Sequence, residues 1–372
     1  MTGGMGDHVR LIRNQSEGPK HFRGVQALRG IAAVIVVIHH ATLLWADAVH
    51  ITRQPSIYVW WEGAAGVDLF FVISGFVMTV TAARHSVEVS PALLFLQRRF
   101  VRIFPVYWLA TVLFALYFWA VSIWPALNFA ATPAPVLTLK WLIGSWFLLP
   151  MHAEAIVGVA WTLYFECFFY LLFSASLSLG CDPVKFLLPV LTVLASASLF
   201  DHPHSPLMNV LINPLLMEFA AGVAIGAMVL HGVRIGPRLG MLVGAAGALA
   251  LFGRIHVDLP ALHALSWGVP ATLIVGGVVL SEQGTGSLWP KWLLQIGDAS
   301  YSLYLIHLLV IRLVVTGLVA SHLIEAHRVN RAGEWLTVGV CCLASVVASI
   351  GFWRFAERPL MTHSQQWIRK YV

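Results

Sequence analysis

ALRGIAAVIVVIHHA, residues Ala27–Ala41, is apolar except for Arg29 near its start and His39 and His40 near its end. On an α-helix, eleven steps at about 100° each return to within roughly 20° of the starting face and climb roughly 16 Å. Arg29 and His40 then lie on one side of the helix, a fixed cation at its foot and a titratable imidazole far above it. The apolar run extends over 24–45, enough to cross about 30 Å of hydrocarbon. Ionisable groups are costly there, so they tend to face a cavity or a pathway. His39 faces about 100° away from His40 and cannot share its role.

The rest of the chain follows this segment. Of 372 residues, 59% are hydrophobic and 11% charged; a soluble globular protein carries roughly 25% charge. The apolar residues gather into runs of spanning length, which predicts an integral membrane protein with no room for a separate soluble catalytic domain. The formal charge of +6 invites a nucleic-acid reading. The Lys and Arg residues flank apolar runs instead, so lipid headgroups and small anions are the expected partners and nucleic acid is not. The four cysteines include no CxxC pair and read as free thiols.

Ten spans are expected, at 24–45, 64–83, 103–124, 156–178, 185–200, 212–231, 238–252, 263–280, 299–320 and 334–355. The fifth and seventh are short. With the N-terminus in the cytoplasm, most of the 23 Lys and Arg residues fall on the inner side, among them Arg10, Arg13, Lys20, Arg23, Arg98, Arg99, Arg102, Arg354 and Arg358. The predicted fold class is therefore all-α integral membrane, about ten transmembrane helices, both termini cytoplasmic. Residues 1–20 form an N-terminal tail, 21–360 the membrane domain and 361–372 a C-terminal tail. LKWLIGSWFLLP (Leu139–Pro150) is too short to span and is expected to lie at the outer surface or fold back over a cleft. Trp161 and six other tryptophans sit near the outer interface, where they anchor the protein or contact sugars.

His40 is the candidate general base, since a neutral imidazole can take a hydroxyl proton near pH 7. Glu166, in WTLYFECFFYLLF, and Asp68, in DLFFVISGF, are the acids expected to orient it, ahead of Glu218 in MEFAAG. RRFVRIFP places Arg98, Arg99 and Arg102 just inside the third span, with Arg99 and Arg102 on one helix face. Guanidiniums fork onto phosphate oxygens, so with Arg29 they form a candidate cytosolic anion site. Coenzyme A carries such phosphates, and its arm, on the order of 15–20 Å, is comparable to the Arg29–His40 rise. In YSLYLIHLL, Tyr304 and His307 are candidate substrate contacts. No zinc signature, Walker loop or nucleophile elbow occurs in a supporting context, and no metal is expected. The residues alone reach a membrane enzyme or transporter with a cytosolic anion site.

These segments resemble the membrane acyltransferase-3 family, bacterial O-acyltransferases of surface polysaccharides, over about Gln26–Pro359. The carriers of the resemblance are ALRGIAAVIVVIHHA, GVDLFFVISGF, RRFVRIFPVYW, WTLYFECFFY, YSLYLIHLL and AERPL. The resemblance implies a ten-helix domain in the bacterial inner membrane that takes an acyl group from cytoplasmic acyl-CoA, with acetyl-CoA favoured and succinyl-CoA the alternative. It passes the group to a hydroxyl of an exopolysaccharide or related surface glycan. Arg29 and His40 match the family's arginine–histidine motif, and Arg99 and Arg102 its CoA-binding pair. The SGNH domain appended in some relatives is not expected here. A second copy or polysaccharide-export machinery are candidate partners. The rival expectation is a transporter or flippase of a polysaccharide intermediate, because charges inside a membrane also mark transport routes.

Overall fold

The structure, a computed structural model, describes residues 22–50, 58–82, 91–127, 138–151, 155–200, 205–253, 263–282, 289–321 and 331–371. The expected tail at 1–20 lies outside the described residues, as does part of the outer connection. Among the described residues every regular element is helical. In chain order they are α1 (Arg23–His50), α2 (Gly66–Ala82), α3 (Pro91–Ile123), α4 (Leu139–Trp146), α5 (Trp161–Ser178), α6 (Pro183–Ala197) and α7 (Pro206–Leu211). They continue with α8 (Leu216–Leu230), α9 (Pro237–Phe252), α10 (Val269–Ser281), α11 (Lys291–Asp298), α12 (Ser300–Ala320), α13 (Arg331–Phe352) and α14 (Arg358–Tyr371).

Among the described residues, eight helical stretches are long and apolar enough to cross a membrane. The fifth and seventh expected spans are the helices α6 and α9, which are apolar but shorter. This is an all-α, largely membrane-spanning protein. Two boundaries depart from the sequence reading. Helix α3 begins at Pro91, twelve residues before the expected span, because Pro suits a first helical turn and the following ALLFLQRRF keeps helix-forming residues throughout. The C-terminal segment is not a bare tail: α14 follows α13 through a π-helical turn, Trp353–Glu357, and packs on α3.

Residue chemistry is sorted by what each face meets. Large apolar side chains such as Leu116, Trp119, Leu313, Leu343 and Val347 are exposed, as faces turned to lipid should be. Serines and threonines face inward instead: Thr42, Ser302, Thr337 and Ser345 are buried. Small residues allow the closest crossings. A Cβ on Gly222 would run into the Val72 carbonyl oxygen, and one on Gly75 into that of Phe219, so α2 and α8 touch backbone to backbone. Gly297 of α11 lies as close to Gln26 of α1. Helix α4 is a short surface segment, held by Tyr107 Oη donating to the Ser145 carbonyl at 2.6 Å and Trp108 Nε1 to that of Trp146 at 2.8 Å.

Candidate active site

A cavity of about 350 Å³ opens among α1, α2, α3, α5 and α12, within the size range of small-molecule sites. Helix α2 gives it one face through Phe70, Ser74 and Val77, at helical spacing. Arg29, Arg99 and Arg102 all line it, so three guanidiniums from two helices converge there. Arg98 is exposed and does not line it, because it points off the α3 face that Arg99 and Arg102 share.

The arginines are incompletely satisfied by the protein. Arg99 Nε is buried and lacks a hydrogen-bond partner among the described residues. Its guanidinium lies over the Phe95 and Tyr170 rings, 5.3 and 5.8 Å from their centroids, an arrangement that favours a cation. Arg102 Nη1 donates weakly to Met361 Sδ at 3.7 Å. Among the described residues, Glu166 is the one carboxylate in the cavity lining. It accepts from Tyr170 Oη, one helical turn on, and from Ser74 Oγ at 3.4 Å. Arg29 has Arg102, Glu357, Glu166 and Asp298 as its charged neighbours. Glu357 and Asp298 are held outside the lining by Ser302 Oγ at 2.5 Å and Gln26 Nε2 at 2.5 Å. The lining itself keeps an excess of positive charge.

Tyr304 stands on the same cavity wall, its hydroxyl 2.8 Å from Thr162 Oγ1 and donating to the Val159 carbonyl at 3.0 Å. One turn further, His307 is fully buried, its ring 6.1 Å from that of Tyr304. His307 then meets His40: Nε2 of one lies 3.2 Å from Nδ1 of the other. A continuous run of side chains thus joins the arginine cavity to the α1 histidine.

The hydrogen bonds assign the tautomers. His307 Nδ1 is 3.0 Å from the Leu303 carbonyl, so it carries the proton and leaves Nε2 as acceptor. His40 Nδ1 is 3.0 Å from the Val36 carbonyl and faces His307 Nε2, so its proton serves both. The lone pair of His40 is then on Nε2, and the residue is partly exposed. His39 is turned aside, its Nδ1 3.0 Å from the Trp60 carbonyl and its ring 5.4 Å from that of Trp61.

The acids differ from expectation. Neither Glu166 nor Asp68 is a hydrogen-bond partner of His40; a backbone carbonyl and a second histidine orient the ring instead. Glu166 is committed to Tyr170 and Ser74 in the cavity, and Asp68 accepts from His263 Nε2 at 2.7 Å. Adjacency of the first two helices does not bring Asp68 to His40, because Asp68 faces the neighbouring α8 and the start of α10. Trp161 opens α5 and packs edge-on against Phe165 at 6.0 Å, outside the cavity lining. Tyr170 and Ser74 were missed by the sequence reading. Tyr170 was within reach, since it follows Glu166 by one helical turn.

A family model described as an acyltransferase domain, that of the acyltransferase-3 family, matches residues 22–354. The chain belongs to the acyltransferase-3 family. It is an acyltransferase and a multi-pass membrane protein, consistent with the bacterial inner membrane. The acyltransferase-3 match spans all five helices that build the cavity, and His40 and His307 with them. The chain is similar to the exopolysaccharide production protein ExoZ of Rhizobium meliloti strain 1021, 34% identical over 80% of this chain and 90% of that protein. It is also similar to the acyltransferase MdmB of Streptomyces mycarofaciens, 25% identical over 77% of this chain and 78% of the relative. No solved structure matches.

Proposed function

We propose that this acyltransferase moves an acyl group from cytoplasmic acyl-CoA to a hydroxyl of an exopolysaccharide or related surface glycan, with acetyl the favoured group and succinyl the alternative. The carrying observation is the cavity in which Arg29, Arg99 and Arg102 converge and whose Tyr304 wall leads to the His307–His40 pair. Phosphates of the donor dock on the three guanidiniums, whose unused donors suit anionic oxygens. The thioester arm rises past Tyr304. Glu166 fixes Tyr170 and Ser74 and limits repulsion among the arginines rather than orienting the base.

His40 Nε2 takes the proton from the acceptor hydroxyl as that oxygen attacks the thioester carbonyl carbon. The new ester C–O bond forms, the C–S bond breaks, and CoA leaves as a thiolate that is then protonated. The imidazolium formed keeps its Nδ1–H on Val36 and His307 Nε2. The glycan acceptor is favoured by the likeness to an exopolysaccharide production protein.

The test is acyl-CoA turnover by protein in lipid nanodiscs, with acetyl-CoA and succinyl-CoA compared and candidate polysaccharide fragments present. A general base contributes roughly 10²–10⁴-fold, so His40→Ala should lower product formation by that much while CoA binding persists. Turnover that is unchanged in His40→Ala refutes the base assignment. A folded protein that neither binds nor turns over either donor refutes the CoA reading.

A further inference from the structure

Away from the cavity, three ligand-type side chains from three separate elements meet inside the bundle. Asp68 is in the first turn of α2, Glu218 in the first turn of α8, and His263 precedes the π turn Ala264–Gly268 that leads into α10. One ligand atom from each lies within 4.8 Å of the others. None of the three lines the acyl-donor cavity.

The feature that calls for a ligand is Glu218. The residue is 1% exposed, and neither carboxylate oxygen has a hydrogen-bond partner among the described residues. The Asp68 carboxyl faces it within the same cluster, and His263 Nε2 lies 3.6 Å from Oε1, beyond hydrogen-bond reach. Glu218 stands at a helix start but takes no backbone N–H, so it is not a cap. Asp68, also buried, is turned into the same space. Two carboxylates with so little compensation are expensive in an apolar bundle unless a proton or a cation neutralises them.

We propose that Asp68, Glu218 and His263 bind one divalent transition-metal cation of the zinc or manganese class. Two carboxylates balance the charge of a divalent ion, and the neutral imidazole adds a nitrogen donor that calcium and magnesium do not favour. Metal–ligand bonds of about 2.1 Å put neighbouring ligand atoms about 3–3.4 Å apart. The present separations from His263 Nε2, 2.7 Å to Asp68 Oδ1 and 3.6 Å to Glu218 Oε1, bracket that range. Loading needs the Nε2 lone pair, so the imidazole proton moves to Nδ1 and Asp68 changes from hydrogen-bond acceptor to ligand. The His263 side chain is 33% exposed and provides the way in. The ion would pin α2, which walls the cavity, to α8 and α10.

The sequence reading expected no metal, and Asp68 and His263 are 195 residues apart, a separation no short motif spans. The experiment uses full-length protein purified without a histidine tag and stripped with chelator. Zn²⁺ and Mn²⁺ are titrated separately, bound metal is counted by mass spectrometry, and melting is followed. Native protein should take up close to one equivalent and melt at a higher temperature with metal. Glu218→Gln and His263→Ala should each weaken uptake at least tenfold. Glu218→Gln keeps the side-chain shape, and its melt without metal checks that it folds. The Mn²⁺ resonance spectrum of native protein gives a readout independent of both variants. Uptake by Glu218→Gln equal to native, or no uptake by native protein, overturns the proposal and leaves a proton shared between the carboxylates as the neutralising device.

Discussion

At the scale of single residues, the proposed mechanism has the two histidines divide the work of one base. His307 Nε2 can accept only if its own Nδ1–H is spent on Leu303, and that frees His40 to present Nε2. His307→Asn should therefore lower kcat about tenfold or more and leave the acyl-CoA KM nearly unchanged. Combined with His40→Ala it should cost little extra, because residues that act as a unit are not additive. Steady-state kinetics of the two single variants and the double variant decide this, and additive losses would separate the two histidines. Arg99 makes the opposite split. Its buried Nε has no partner among the described residues, and hydrogen bonds to charged groups contribute about 1.5–3 kcal/mol. Arg99→Ala should raise the acyl-CoA KM roughly 10–100-fold. Arg99→Lys should rescue little, since an ammonium cannot reproduce the planar fork.

At the scale of helices, the α2–α8 contact holds the cavity wall in place. Even one methyl group at Gly222 meets the Val72 carbonyl oxygen, a backbone atom that cannot step aside. Gly222→Ala should destabilise the protein by about 1–3 kcal/mol, the usual cost of overpacking. Gly339→Ala is the matched control: a Cβ there meets nothing within 4 Å, so helix propensity should make it neutral or stabilising by about 0.5–1 kcal/mol. Thermal unfolding in detergent separates the two, and equal melting of both variants would mean that α2 and α8 are not in backbone contact.

At the scale of the whole molecule, orientation follows from where the arginines stand relative to a natural probe. Ser174 Oγ near the end of α5 donates to the Ala92 carbonyl at the start of α3, at 3.4 Å. The arginine-bearing start of α3 and the α5–α6 connection therefore share one side of the bundle. Cys181 lies in that connection and is exposed, while Cys167, Cys341 and Cys342 are buried or partly buried in helices. With the basic flanks inside, an impermeant maleimide should label Cys181 in inside-out vesicles and leave it unlabelled in right-side-out ones. The reverse pattern would put the arginine cavity on the outer side and remove the cytoplasmic donor.

The apolar runs by themselves determined an all-α membrane protein, because hydrocarbon thickness fixes segment length and the backbone must satisfy its own hydrogen bonds there. Spacing along single helices likewise put Arg29 with His40, and Arg99 with Arg102, on shared faces. Only the tertiary structure decided what those faces meet. It gathered three arginines and Glu166 into one cavity, gave His40 a histidine partner instead of an acid, and sent Asp68 to Glu218 and His263. The physical reason is that helical periodicity specifies a direction about one axis, whereas the choice of partner depends on how separate helices cross. Those crossings are set by small-residue contacts such as Gly75 against Gly222, between segments far apart in the chain.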